Sequence, residues 1–235
     1  MVSKLINLNE FESKTYSQNG EDGIINAIFS KIGYSNKYYV EIGGGKSYDN
    51  TKLLRKNFGF TGLLINNSLE NLRVNLRKEF VTKENINSLF KKYNVPFGFD
   101  LLSIDIDSND WYVWNALDDK YRPRIVCIEY NAKFKPNSDM LVKYNPGAVW
   151  KKDDYFGASM KAYYRLGRKK KYSLVCADKN GTNLFFARDD LKPELIFKNV
   201  NDLNKLHTKS WSHAKDELNR DWTSAQEQLA VGDLK

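Results

Sequence analysis

The sequence predicts an α/β protein built on a seven-stranded, mostly parallel, doubly wound sheet closed by an antiparallel hairpin. Three observations predict it. Strand-like and helix-like segments alternate up to residue 168, the pattern of a parallel sheet with crossover helices. The first strand, Tyr38 to Ile42, runs straight into Gly43-Gly44-Gly45, at the kind of strand end where such sheets bind ligands. Late in the alternation, Asn180-Gly181 separates two strand-like runs, which is a hairpin signature.

Each element has its own signal. Gly20-Glu21-Asp22-Gly23 opens a helix with Ile24, Ile25, Ile28, Phe29 and Ile32 as its apolar positions, acids at its start and Gly33 after its end. Beyond the first strand, Asp49 to Asn57 reads as a helix, Gly62 to Ile65 as a strand, Leu69 to Lys78 as a helix and Glu79 to Thr82 as a short strand. Glu84 to Tyr93 is a helix with Ile86, Leu89 and Phe90 on one face, and Asp100 to Ile106 is a strand. Asp110 to Leu117 is a short helix whose Trp111, Tyr112 and Trp114 read as packing residues. Pro123 to Tyr130 is a strand.

Residues 132–156 carry few regular signals. A long irregular loop in a compact domain is usually functional, so Trp150 and Tyr155 are expected to meet a substrate. Ala158 to Gly167 is a helix, and Tyr172 to Ala177 and Thr182 to Arg188 form the hairpin, expected to add an antiparallel strand at the sheet edge. Residues 1–191 then make one domain, with 192–235 as a helical appendage. Its polar helix is expected from about Ser212 to Leu229, with His207 and His213 at the surface. Trp211 and Trp222 would lie on a stripe that packs on the domain or on a second copy in a homodimer.

Composition narrows the class. The chain has 235 residues, 41 % hydrophobic and 28 % charged, enough for one domain with a core and unlike a disordered chain. No apolar run reaches the roughly 18–20 residues of a membrane span, and the N-terminus lacks a secretory pattern. Cys127 and Cys176 sit in apolar strands and read as buried free thiols, which suggests a reducing, cytoplasmic location. The net charge is +8, and residues 133–171 hold eleven Lys/Arg against three Asp/Glu, including the run Arg168-Lys169-Lys170-Lys171. That segment is either a solvated face or a wall beside an anionic ligand or nucleic acid.

The candidate chemistry lies at the strand ends. Gly43-Gly44-Gly45 matches neither the dinucleotide fingerprint nor a phosphate-binding P-loop. Asp105 and Asp107 leave the fourth strand two residues apart, and Glu129 and Asn131 do the same on the next, so three acids and an amide converge on one edge. Three roles stay open. They could hold a divalent cation with oxygen ligands. They could remove a hydroxyl proton, since neighbouring acids raise one another's pKa. They could cap a helix and pair with arginines.

Five stretches in this order resemble one family. Tyr16-Ser17-Gln18-Asn19-Gly20-Glu21-Asp22-Gly23-Ile24, Val40-Glu41-Ile42-Gly43 with Asn50-Thr51, the run from Asp100 to Asp107 (DLLSIDID), Ile128-Glu129-Tyr130-Asn131, and Asn180 to Phe186 (NGTNLFF) are similar to segments of the FkbM-like S-adenosylmethionine-dependent methyltransferases. The resemblance runs from Tyr16 to Leu191, about three quarters of the chain. It implies the Rossmann-like sheet of class I methyltransferases. It further implies an O-methyltransferase acting on a hydroxyl of a sugar or other small, anionic or neutral, acceptor.

In that reading Glu41, Gly43, Gly44 and Gly45 meet the methionine end of S-adenosylmethionine, and Asn50 belongs to the same cofactor set. Asn66 at the second strand's end meets the ribose, Asp105 lies beneath the cofactor, and Gln18 and Asp22 sit nearby. Two residues depart from the family pattern. The second strand ends in Ile65-Asn66-Asn67-Ser68 where an acid normally takes the ribose hydroxyls, leaving Glu70 as the nearest acid. Lys46 places a cation after the glycine turn, unfavourable beside a sulfonium unless it pairs with Asp49. These departures keep two alternatives in view: a catalytically weak or dead methyltransferase-fold binding protein, and an RNA methyltransferase.

Overall fold

The computed structural model describes residues 5–45, 48–197 and 213–232. Among them, seven strands form one sheet: β1 (Tyr38–Ile42), β2 (Thr61–Asn66), β3 (Leu76–Lys78), β4 (Leu101–Ile104), β5 (Ile125–Glu129), β7 (Tyr172–Ala177) and β8 (Asn183–Arg188). A small second sheet pairs β6 (Leu141–Val142) with β9 (Trp222–Thr223). The helices are α1 (Glu21–Ile32), α2 (Lys52–Asn57), α3 (Ile86–Lys92), α4 (Asp110–Ala116), α5 (Met160–Lys169) and α6 (Ala225–Gly232).

The strand order of the large sheet is β3-β2-β1-β4-β5-β8-β7. β3, β2, β1, β4 and β5 pair in parallel, and β8 runs antiparallel to both neighbours. The hairpin is therefore present, but its antiparallel strand is not at the edge. β8 slots between β5 and β7, with Ile128 opposite Leu184 and Val126 opposite Phe186. Leu184, Phe185 and Phe186 are all fully buried, so this strand cannot stand at a solvated edge without exposing two aromatic rings.

Successive residues of each strand face opposite layers. Val40, Ile42, Leu63, Ile65, Leu102 and Ile104 join α3, α4 and α5 on one side. Tyr39, Leu64, Leu101 and Cys127 join Ile24, Ile25 and Ile28 of α1 on the other. Trp111, Tyr112 and Trp114 are buried core residues; Trp111 donates its indole N–H to Ala162 O at 3.1 Å and Tyr112 its hydroxyl to Val142 O at 2.9 Å. Cys127 and Cys176 are buried free thiols.

Two expected helices are absent or shortened. Leu69 to Lys78 is not helical: a 3-10 turn at Leu72–Val74 gives way to β3, which starts at Leu76, ahead of the strand expected at Glu79. Asn71 accepts the Arg73 amide, and Asn75 turns left-handed (φ 55°) and donates its side-chain amide to Gly62 O at 2.7 Å. That stops a helix and seats Leu76 against Leu64 of β2. The C-terminal helix starts only at Ala225, because Asp216 gathers the amides of Leu218 and Arg220 into a turn and Trp222 enters β9. Trp222 thus packs on Phe134 and Tyr155 from a strand and not from a helical stripe, while Trp211 and His207 lie outside the described residues.

Candidate functional site

The site forms at the carboxyl ends of β1, β2, β4 and β5. Gly43 donates its amide to Ile65 O on β2, and Asp105 donates its amide to Ile42 O, so the exits of three strands are laced together. Gly43 has φ 96°, and a Cβ there would lie 1.6 Å from the Asp105 carbonyl oxygen. No side chain fits, on conformational or steric grounds. Gly45 (φ 95°) gives its amide to Asp49 Oδ1 at 2.8 Å.

Several acids of the resemblance build this frame from behind. Glu41 is buried and accepts the amides of Asn50 (2.8 Å) and Thr51 (3.1 Å) and the Thr51 hydroxyl. Burial, and then the Asp49 charge, raise its pKa to about 7. Asn50 in turn donates to Ser103 Oγ at 3.1 Å. Asp22 accepts the amides of Thr15, Tyr16 and Ser17, and Glu21 those of Asn19 and Gly20. The stretch before α1 is therefore a loop wrapped on two carboxylates, and it leaves Gln18 at the cavity. Asn131 donates to the carbonyls of Asp154 and Phe156, both at 3.0 Å, and anchors the irregular loop.

Two adjoining cavities occupy the strand ends. The first, of about 250 Å³, is lined by Ile42, Gly43, Ile65, Asn66, Glu79 and Phe80 on one side and by Asp105, Ile106, Asp107, Trp150 and Lys152 on the other. The second, of about 260 Å³, is lined by Gln18, Tyr48, Glu129, Tyr130, Phe156, Thr182 and His213. Gly43, Asp105, Asp107 and Trp150 line both. Small-molecule sites span roughly 300–1,000 Å³, a range that the pair together falls within and neither cavity reaches alone.

Of the residues expected at a site, Gln18, Gly43, Asn66, Asp105, Asp107 and Glu129 line these cavities. Asp22, Glu41, Gly44, Gly45, Asn50 and Asn131 stand behind the wall. Lys46 lies outside the described residues, and its suggested partner Asp49 is engaged by Arg55 at 3.3 Å. Trp150 reaches both cavities. Tyr155 does not: it lines a separate cavity with Lys143 and Arg220 and donates to Asp221 O at 2.7 Å.

β4 stops at Ile104, so Asp105 and Asp107 share a site through a loop and not through strand alternation. Asp110, buried at the start of α4, accepts the amides of Ile106 (2.8 Å) and Ser108 (3.0 Å), and Asp107 takes a left-handed turn (φ 61°). Glu129, at the end of β5, joins them, and one carboxylate oxygen from each of the three lies within 4.8 Å of the others. Burial raises the Glu129 pKa well above the ordinary carboxylate value, and the charges of Asp105, Asp110 and Asp107 add to it.

Asn66 has a physical reason to be an amide. Its Nδ2 donates to Gly44 O at 2.9 Å and Gly43 O at 3.3 Å, while its Oδ1 accepts from Ser68 and Leu69. A carboxylate would face two carbonyl oxygens. Asn66→Asp is expected to cost about 2 kcal/mol of stability in urea denaturation, because two acceptors lose their donor. An unchanged midpoint would show that the glycine turn does not depend on this amide.

The acid beside Asn66 on the first cavity is Glu79, not Glu70. Glu79 donates its amide to Asn66 O at 2.9 Å, so it stands beside Asn66 across the β2–β3 pair. Hydrogen bonds from Lys92 and Tyr93 lower its pKa, which keeps it ionised. His213 was also missed by sequence reading. Ala214 O accepts the Asp154 amide at 2.8 Å, which holds the C-terminal segment on the irregular loop and packs the imidazole against Trp150 and Phe156, with ring centroids 5.3 and 5.4 Å away. Neither residue carries a motif; only the spacing of β3 could have pointed to Glu79.

Five of the eleven cations of segment 133–171 pair with the chain's own acids. Lys133 pairs with Asp154, Lys143 with Asp221, Arg165 with Asp139, Arg168 with Asp189 and Lys170 with Asp119. Lys152 is its one cation on the first cavity, among the described residues. No described helix is long and apolar enough to cross a membrane.

No family model matches the chain, and a search of the curated proteins gives no match either. Among solved structures the chain is similar to the N-terminal domain of EvdMO1, determined in the presence of SAH and D-fucose. The TM-score is 0.42 at 11% identity, covering 80% of this chain and 92% of that one. It is also similar to the mitomycin 7-O-methyltransferase MmcR, with a TM-score of 0.33 at 14% identity, covering 71% of this chain and 56% of that one. The fold rests on the chain's own strand order: it is a seven-stranded, mostly parallel, Rossmann-like α/β sheet, with its one antiparallel strand inserted next to the last position.

Proposed function

We propose that the protein is an S-adenosylmethionine-dependent O-methyltransferase for a small hydroxyl-bearing acceptor such as a sugar. The observation that carries this reading is the pairing of the two cavities across Gly43, Asp105 and Asp107. The first suits a nucleoside. Ile65, Phe80, Val81 and Ile106 supply apolar walls for a base, and Asn66 and the ionised Glu79 supply polar groups for ribose hydroxyls. Asp105 and Asp107 place negative charge at the junction, which favours a sulfonium. The residues present therefore fit the cofactor.

The bound cofactor supplies an activated methyl group. The chain's own residues hold the acceptor in the second cavity, where Gln18, Thr182 and His213 offer hydrogen bonds and Trp150 and Phe156 offer apolar faces that exclude water. Asp105 and Asp107 are placed to accept the hydroxyl proton. Positioning supplies much of the rate in such a displacement.

Calorimetric titration with S-adenosylmethionine tests this. Micromolar binding is expected; no binding at millimolar ligand would leave a methyltransferase fold used only for other binding. Glu79→Gln should weaken that binding about fivefold, roughly 1 kcal/mol, because a neutral amide oxygen replaces a charged acceptor. Equal affinity of variant and wild type would remove Glu79 from the nucleoside site.

A further inference from the structure

We infer that Asp105, Asp107 and Glu129 hold a hard divalent cation, of the magnesium, manganese or calcium type, at the junction of the two cavities. Three carboxylates from two strand ends bring one oxygen each to within 4.8 Å of the others. That spacing matches oxygens sharing one ion, whose ligands stand roughly 2.0–2.6 Å from the metal.

A second, independent observation lies beneath the cluster. Tyr163, on α5, is 0 % exposed, and its hydroxyl has no hydrogen-bond partner among the described residues. The carboxylates whose charges act on that hydroxyl are those of Asp110, Glu129 and Asp105. Glu129 Oε2 is likewise buried without a partner among the described residues. Buried polar atoms are nearly always paired, so an orphaned acceptor and an orphaned hydroxyl facing the same cluster mark a missing participant. A partly hydrated cation answers both: its charge satisfies Oε2, and one of its waters accepts the phenolic O–H. Asp110 is not a further ligand, because its two oxygens already hold the amides of Ile106 and Ser108.

The donor set selects the metal class. The cluster contains carboxylates and neither cysteine nor histidine, so it suits hard cations and disfavours zinc or copper. Three ligands leave coordination positions open toward the cavity with Gln18, Thr182 and His213. If the proposed methyl transfer holds, the acceptor is then a molecule with two neighbouring oxygens, such as a vicinal diol or a hydroxy-carbonyl compound, able to chelate the ion.

The test is a titration of the full chain with manganese, followed by electron paramagnetic resonance and calorimetry. One saturable site with micromolar affinity is expected, displaced by excess magnesium. Asp105→Asn and Glu129→Gln should each weaken it at least tenfold, and Tyr163→Phe severalfold, with circular dichroism confirming that the variants fold. Absence of saturable binding of manganese, magnesium or calcium to the wild type at millimolar metal would overturn the inference. So would wild-type affinity in folded Glu129→Gln. Titration of S-adenosylmethionine in chelator separates the two proposals: the cofactor can bind without the ion, and the ion without the cofactor.

Discussion

Gly43→Ala is expected to abolish S-adenosylmethionine binding and to destabilise the protein by about 3 kcal/mol or more. Two penalties act at one atom. The backbone sits at φ 96°, where an L-residue carries strain of roughly 1–3 kcal/mol. The new methyl group also falls 1.6 Å from the Asp105 carbonyl oxygen, so β1 and the exit of β4 must move apart; such overpacking costs roughly another 1–3 kcal/mol. The same displacement separates Gly43 from Asp105, two of the four residues that line both cavities. Guanidine denaturation reads the stability loss and calorimetry the lost binding. A Gly43→Ala protein with unchanged midpoint and affinity would contradict this account of the strand exits.

The second large effect belongs to Glu41, which lines neither cavity. Its carboxylate satisfies two buried amides and a hydroxyl, from Asn50 and Thr51. Glu41→Ala orphans all three, and at roughly 1–3 kcal/mol for each buried unsatisfied group the expected loss is about 4 kcal/mol, enough to unfold a marginal domain at 37 °C. The wild type should also carry a pH signature. Glu41 and Asp178 both have pKa values raised to about 7, mainly by burial. The unfolded chain releases these protons near pH 4, so between roughly pH 4.5 and 7 the folded state binds more protons. Stability should therefore fall as pH rises through that window and level off above it. Urea midpoints at half-unit pH steps measure this; a midpoint that climbs from pH 5 to 7 would refute the assignment. Glu41→Gln, with no proton to release, should flatten the slope.

The strands and their turns were legible because their signals are local. Tyr38 to Ile42 and the hairpin around Asn180-Gly181 combine apolar runs with a glycine break, Ile125 to Glu129 is an apolar run that follows Pro123, and each formed where expected. Leu69 to Lys78 was misread because Leu69, Leu72 and Leu76 recur at a helical spacing while Leu72, Val74 and Leu76 alternate like a strand. The decision fell to Asn71, which takes the Arg73 amide locally, and to Asn75, whose side chain reaches Gly62 O on a segment that only the folded chain brings near. The glycine turn pointed to this strand end, and the acids after β4 and at the end of β5 to a cluster that the structure brings together. The amide of Asn66 read as a defect only while its contacts with Gly43 and Gly44 were out of view.

Sequence alone determined that alternating strands and helices build one sheet, that a glycine turn follows Ile42, and that acids follow β4 and end β5. These follow from residue periodicity and chain direction, which neighbouring residues set. Tertiary structure alone decided that β8 enters between β5 and β7, that Glu79 flanks Asn66, and that Trp150 and His213 close the second cavity. Those are contacts between segments distant along the chain, settled by which buried surfaces and hydrogen-bonding groups are satisfied together, and no single stretch of residues records that competition.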